Sequence, residues 1–158
     1  MENARRYRIR VEFKKLSSTL GGFAAFRGSG NWKRRIVVHA DLDEPSRFGV
    51  LAHEMGHILH GHLGNDDDQW WPSRLSLGKN AVEVEAEAVA YIVATRFGLR
   101  GGSAAYLSGY VKDEAAPAAV SLDHIAKVAG RIEQMAQGLL PAPRTRPRTG
   151  PRRRGAAE

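Results

Sequence analysis

Residues 53 to 57 read His-Glu-Met-Gly-His, and this motif restricts how the middle of the chain can fold. Two imidazoles four positions apart lie on one face of an α-helix, one turn above each other, so both can bind a single Zn²⁺ ion. Glu54 lies along the same side and can take a proton from a zinc-bound water. His53, Glu54 and His57 therefore predict a helix that carries the groups of a zinc hydrolase.

The residues around the motif favour such a helix. Asp43 and Pro45 are typical of a helix start, and Gly61 is typical of a helix end, so the sequence predicts a helix from about Pro45 to His60. Apolar side chains recur at helical spacing within it: Phe48, Val50, Leu51, Met55, Ile58 and Leu59. The competing interpretation is an ordinary amphipathic helix that happens to carry two histidines.

Composition narrows the class of protein. A chain of 158 residues can form one domain with its own hydrophobic core. It contains no cysteine, so a metal site must use nitrogen and oxygen ligands. No apolar run is long enough to cross a membrane, and the N-terminus lacks the apolar segment of a secretory signal. We therefore expect a cytoplasmic protein that does not associate with membranes.

Most of the net charge of +7 lies in the last eighteen residues, which contain six arginines and only one acidic residue, Glu158. This segment is rich in proline and lacks apolar periodicity, so residues 141–158 are predicted to be a disordered tail. Clustered arginines can attract nucleic acid weakly and without sequence preference. Residues 1–140 are predicted to form the folded domain, and the sequence does not indicate an oligomeric state.

Three segments are predicted to form strands. Residues 6–13 alternate between apolar and charged side chains, as a half-buried strand does. Residues 22–27 and 34–39 are joined by the turn sequence Gly-Ser-Gly-Asn, which favours a hairpin. After the His-Glu helix, residues 64–80 are predicted to form a polar loop.

Further helices are predicted from about Ala81 to Phe97, around Ala104–Lys112 and after a capping Ser121. The last of these carries an apolar stripe that we interpret as a packing face. The stripe comprises Leu122, Ile125, Ala129, Ile132, Ala136 and Leu139.

A catalytic zinc ion needs a third protein ligand, and the nearest histidines are poor candidates. His60 lies a further turn along the helix, about 10 Å up the axis from His53. His62 can approach the ion only if the helix unwinds at Gly61. Both are interpreted as structural or cleft residues.

The predicted helix at 81–97 offers three acidic candidates. Glu83 and Glu87 lie one turn apart on a common face, whereas Glu85 points roughly the other way. The rest of this helix is apolar nearly all round, which predicts that it is largely buried. Because a buried carboxylate needs a cation, we expect one of the three to bind zinc and another to orient a ligating imidazole.

The segments FGVLAHEMGHILHGH and VEVEAEAVAYIVATRFGL together resemble the ImmA/IrrE-type metallopeptidases. The resemblance covers approximately residues 20–140 and is closest to the branch related to the metallopeptidase domain of ArdC antirestriction proteins. It implies a small zincin-like α+β domain, with a short, mostly antiparallel sheet packed on the His-Glu helix, a glutamate-bearing helix and a C-terminal helix. Because these proteins are gluzincin-like, it also implies Glu83 as the third ligand. Glu87 is then the partner of a ligand or an alternative ligand, and Glu85 ranks third.

The function implied is zinc-dependent endopeptidase cleavage of a cytoplasmic protein, in which Glu54 activates a zinc-bound water, with a link to a mobile element. The alternative is a non-catalytic or antirestriction-type zinc-binding module that associates with DNA through its arginine-rich tail. A peptidase also needs a donor for the oxyanion, and side-chain type alone suggests Tyr106, Tyr110 or His124. Trp70 and Trp71 are interpreted either as rim residues of a substrate cleft or as core residues.

Overall fold

The computed structural model of the chain describes residues 2–26, 30–66, 69–99 and 119–141. These residues form three strands and four helices around one hydrophobic core. In chain order the elements are α1 (Glu2–Arg5), β1 (Ile9–Lys14), β2 (Gly22–Phe26), β3 (Arg34–His39), α2 (Glu44–His60), α3 (Lys79–Arg96) and α4 (Leu122–Ala136). The short helix predicted at 104–112 and residues 142–158 of the predicted tail lie outside the described residues.

The three strands form a mixed sheet in the order β1-β3-β2. The predicted β2–β3 hairpin is confirmed, but β1 pairs with β3 in parallel, so the expectation of a mostly antiparallel sheet was wrong at β1. Burial explains the order, because Ile36, Val37 and Val38 of β3 are almost fully buried and occupy the centre. Strand β1, in which apolar and charged side chains alternate, lies at an edge of the sheet. The α+β class that the sequence predicts is confirmed.

Helix α2 begins and ends as its sequence predicts. The Asp43 side chain accepts a hydrogen bond from the Ser46 amide at 2.9 Å, and Gly61 ends the helix in the left-handed conformation with φ of 80°. The helix packs closely on β2, since a Cβ atom at Gly22 would lie 2.5 Å from a methyl group of Val50. This contact places the middle of α2 against the edge of the sheet.

Helix α3 lies close to α2 because Gly56 has no side chain. A Cβ atom at Gly56 would lie only 3.3 Å from the Ala86 Cα atom of α3. Ala86, Val89 and Val93 are fully buried and form the apolar side of α3. The close approach brings the glutamates of α3 opposite the histidines of α2.

Helix α4 begins at the predicted cap, where the Ser121 hydroxyl accepts from the His124 amide at 3.3 Å. The predicted apolar stripe was wrong at its ends: Leu122 is 78% exposed, and Leu139 is 64% exposed. Leu139 lies beyond the end of the helix, after Gly138 turns the chain with φ of 72°. The residues that α4 buries are Ile125, Val128, Ala129, Ile132 and Met135. None of the helices in the described ranges has the length and hydropathy needed to cross a bilayer.

Candidate metal centre

Three side chains from two helices meet at one point. His53 and His57 of α2 bring their Nε2 atoms within 3.1 Å of each other. The Oε2 atom of Glu83, on α3, lies 3.5 Å from His53 Nε2 and 3.7 Å from His57 Nε2. Within the described part of the chain, this is the one group of three or more such side chains whose donor atoms converge closely enough to hold a metal ion.

The spacing of these atoms fits a tetrahedral zinc site. Ligand bonds of about 2.0–2.1 Å at tetrahedral angles separate donor atoms by about 3.3 Å. The three observed distances lie between 3.1 and 3.7 Å, on either side of that value. All three side chains retain 12–20% of their exposure, so the cluster borders solvent. Two nitrogens and one carboxylate oxygen suit Zn²⁺.

The two histidines differ in their acid–base behaviour when no metal is bound. Burial alone would lower the pKa of His53, but hydrogen bonds to Glu83 and Glu87 outweigh it and raise the pKa to about 9. Burial, together with the charge of His53, lowers the pKa of His57 to about 4. The hydrogen bond from His53 holds the pKa of the Glu83 carboxyl below its usual value. His57 is therefore neutral at physiological pH, whereas His53 is protonated on both ring nitrogens and positively charged.

Glu87 contacts the cluster from behind. Its carboxylate lies 2.9 Å from His53 Nδ1, the ring nitrogen that faces away from the convergence point. This contact orients the imidazole and directs Nε2 towards Glu83 and His57. Glu83 therefore contributes an oxygen to the group that could hold a metal ion, whereas Glu87 contacts the far side of the His53 ring.

Glu54 is buried beside the three converging side chains. Burial raises its pKa to about 6, and the charge of His53 and a hydrogen bond from the Ala24 amide oppose that rise. The carboxylate is therefore ionised at neutral pH but remains a stronger base than an exposed glutamate. That combination suits a group that accepts a proton and later returns it.

Comparison with known families agrees with this geometry. The sequence profile described as the IrrE N-terminal-like domain, a metallopeptidase-type family, matches residues 4–98. The chain belongs to the IrrE N-terminal-like family. The match begins earlier and ends earlier than the resemblance drawn from the motifs, and it contains the three strands, α2 and α3 with every side chain of the cluster. No curated protein and no solved structure matches the chain.

The match confirms the resemblance to the ImmA/IrrE family, while the closer relationship to ArdC proteins stays a prediction. Helix α4 lies outside the matched range, although it packs against both α3 and α2. The matched range therefore contains the cluster and the two helices that carry it.

Sequence reasoning missed the roles of His62 and Glu85. His62 Nδ1 lies 3.1 Å from His57 Nδ1, and His62 Nε2 lies 3.0 Å from the fully buried carboxylate of Glu85. Burial would raise the pKa of Glu85, but hydrogen bonds from His62 and the Ser121 amide outweigh it and lower the pKa to about 2. The prediction that Glu85 points away from Glu83 and Glu87 is confirmed, yet its side chain is not solvated.

The other candidate residues from the sequence differ in their surroundings. Trp71 is a core residue, 1% exposed, and its ring nitrogen donates to the Gly64 carbonyl. Trp70 is half-buried and stacks beneath Lys127 and Arg131 of α4. His124 lies near the ring of His60, with 4.9 Å between ring centroids. Neither Tyr106 nor Tyr110 falls within the described residues.

Proposed function

We propose that the chain is a zinc-dependent metallopeptidase that cleaves a peptide bond in a cytoplasmic protein. The observation that carries this proposal is the convergence of His53, His57 and Glu83 beside the buried Glu54. Membership of a metallopeptidase-type family supports it. The three converging side chains would hold the ion. When bound, Zn²⁺ polarises a carbonyl group and lowers the pKa of water towards neutrality.

Glu54 supplies the general base. With a pKa of about 6, its carboxylate is ionised at neutral pH and can take the proton of the attacking water. Because it holds that proton only weakly, it can pass it to the leaving amine when the peptide bond breaks. The buried position excludes bulk solvent, which would otherwise compete for the proton.

Among the described residues no strand pairs with the outer edge of β2, and this edge supports a peptide as the substrate. The His39 amide donates to the Gly21 carbonyl at 2.7 Å, and this register directs the amide of Ala24 away from β3. That amide donates to Glu54, so the outer edge of β2 borders the catalytic carboxylate. An extended substrate that added a strand to this edge would place its backbone beside Glu54.

A Glu54→Gln variant tests the proposal. We expect it to bind zinc like the parent protein and to lose at least a hundredfold of the peptide cleavage rate, because glutamine cannot accept the proton. Glu44→Gln, at the exposed start of the same helix, is the matched control and should remain active. Cleavage is measured by mass spectrometry on a degenerate peptide mixture, and bound zinc by metal analysis.

Two outcomes would overturn the peptidase assignment. One is undiminished cleavage by Glu54→Gln. The other is a zinc-loaded parent that cleaves no peptide while the Glu54→Gln variant still performs the protein's biological role. That second result would favour the alternative, a zinc-binding interaction module in which turnover has no part.

A further inference from the structure

A chain of hydrogen bonds leads away from His57 on the side opposite the metal cluster. His57 Nδ1 lies 3.1 Å from His62 Nδ1, and His62 Nε2 lies 3.0 Å from Glu85 Oε2. All of Glu85 and nearly all of the His62 side chain are buried. Three titratable groups therefore contact one another in succession, and the two beyond His57 are buried.

The far end of this chain determines the direction of its hydrogen bonds. The Ser121 amide donates to Glu85 Oε1 at 2.8 Å, and a guanidinium nitrogen of Arg74 lies 2.8 Å from the same oxygen. The amide can only donate and the guanidinium carries a positive charge, so both favour the ionised form of Glu85. Its second oxygen must then accept as well, which makes His62 Nε2–H the donor.

The proton on His62 in turn determines the proton on His57. A neutral imidazole that donates through Nε2 has a lone pair on Nδ1. When His62 is neutral, its Nδ1 therefore accepts, and the proton between the two rings belongs to His57 Nδ1. This leaves His57 Nε2 unprotonated where it faces His53 Nε2 and Glu83, which is the state that a metal ligand requires.

We propose that His62 and Glu85 are positioning residues that hold His57 in the metal-binding tautomer and orientation, as Glu87 does for His53. The proposal rests on the function proposed above, since it concerns the same cluster. This role accounts for the Glu85 carboxylate, which is fully buried on α3 and does not belong to the group that could hold the ion.

Local backbone geometry makes His62 suitable for this role. The left-handed turn at Gly61 ends α2 and brings the His62 ring back alongside His57. The His60 ring stacks on the other face of His62, with 5.0 Å between centroids and 11° between planes. His60 is itself held by the Gly56 carbonyl at 3.0 Å. The ring of His62 is thus fixed by stacking as well as by its two hydrogen bonds.

The test compares two substitutions at His62 by their zinc affinity, measured in competition with a chromophoric chelator. His62→Phe keeps a ring but cannot accept from His57, and we expect zinc to bind roughly 10- to 100-fold more weakly. In His62→Asn, the side-chain oxygen occupies approximately the place of Nδ1 and can still accept, so most of the affinity should return. His39→Phe, at the end of β3, is the control for loss of a histidine and should bind zinc like the parent.

A second measurement uses the unmodified protein and so does not depend on a variant that folds. Long-range ¹H–¹⁵N correlation spectra of the zinc-loaded, histidine-labelled chain report which ring nitrogen carries each proton. We expect the proton on Nδ1 of His57 and on Nε2 of His62.

The outcomes separate this inference from the proposed function. Equal zinc affinity in the parent and His62→Phe, or a proton on His62 Nδ1, overturns the positioning role and leaves the metallopeptidase assignment standing. A parent protein that binds no zinc removes both.

Discussion

The Glu87 carboxylate lies 2.9 Å from His53 Nδ1, while Glu83, one turn earlier on α3, lies 3.5 Å from Nε2 of the same ring. Two glutamates four residues apart thus contact opposite sides of one imidazole. In this arrangement Glu83 can reach a metal ion held by the two histidines, whereas Glu87 contacts the opposite side of the His53 ring. The arrangement also explains why α3 carries acidic residues on a buried face.

Removing these two carboxylates should have unequal effects on zinc binding. Glu87→Ala leaves all three converging donors in place, so we expect a roughly 10- to 100-fold loss of zinc affinity. Glu83→Ala removes one of three donors and should cost more than that. The measurement is chelator competition, with Glu44→Ala as the control. A smaller loss for Glu83→Ala than for Glu87→Ala would show that the ligand assignment is reversed.

Zinc uptake should release a proton at neutral pH. Hydrogen bonds to Glu83 and Glu87 outweigh burial and raise the pKa of metal-free His53 to about 9, so its Nε2 must lose a proton before it can bind an ion. Zinc affinity should therefore rise about tenfold per pH unit between roughly pH 7 and 9, and level off above that. Calorimetry in buffers of different ionisation enthalpy counts the released protons. A zinc affinity independent of pH in this range would contradict the role of His53 as a ligand that must lose a proton.

The part of the site that could be predicted from the sequence is the part set by local geometry. His53 and His57 share a face because α-helices repeat every 3.6 residues, and Glu83 and Glu87 do so for the same reason. The bounds of β3 and the cap residues of α2 follow from equally local patterns. The pairing of the two helices needed the family resemblance, because nothing in either segment alone specifies the other.

The rest depends on contacts between distant segments. His62 reaches His57 only because Gly61 reverses the chain, and the side of α2 to which it returns is decided by tertiary packing. Glu85 is held by Arg74 from a loop and by the amide of Ser121 before α4, two partners far apart in sequence. The parallel pairing of β1 with β3 is likewise a property of the assembled sheet.

Acidification should destabilise the metal-free protein partly through His60, whose ring is fully buried on α2. Burial, aided by the nearby His62, lowers its pKa from 6.5 to about 3. Because the folded-state value is depressed, this contribution to stability is fully present above pH 6.5 and is lost as the pH falls towards 3. One such proton corresponds to a slope of at most about 1.4 kcal/mol per pH unit.

His60→Leu removes the titrating ring and should flatten the pH dependence below 6.5. The free energy of unfolding is obtained from urea titrations of the metal-free proteins at several pH values. His39→Leu provides the comparison, because this residue lies away from the cluster at the end of β3. Parallel curves for the parent and His60→Leu would show that His60 does not contribute to the acid sensitivity.

Gly61 should tolerate substitution far less well than Gly98, although both have positive φ angles, of 80° and 72°. A left-handed conformation costs an alanine about 1–2 kcal/mol at either position. At Gly98 a Cβ atom would meet open space among the described residues, whereas at Gly61 it would collide with the carbonyl group of Pro72. Gly61→Ala should therefore lower the free energy of unfolding by about 1–3 kcal/mol more than Gly98→Ala. Because His62 follows Gly61, it should also weaken zinc binding, and equal losses of stability in the two variants would contradict the close contact with Pro72.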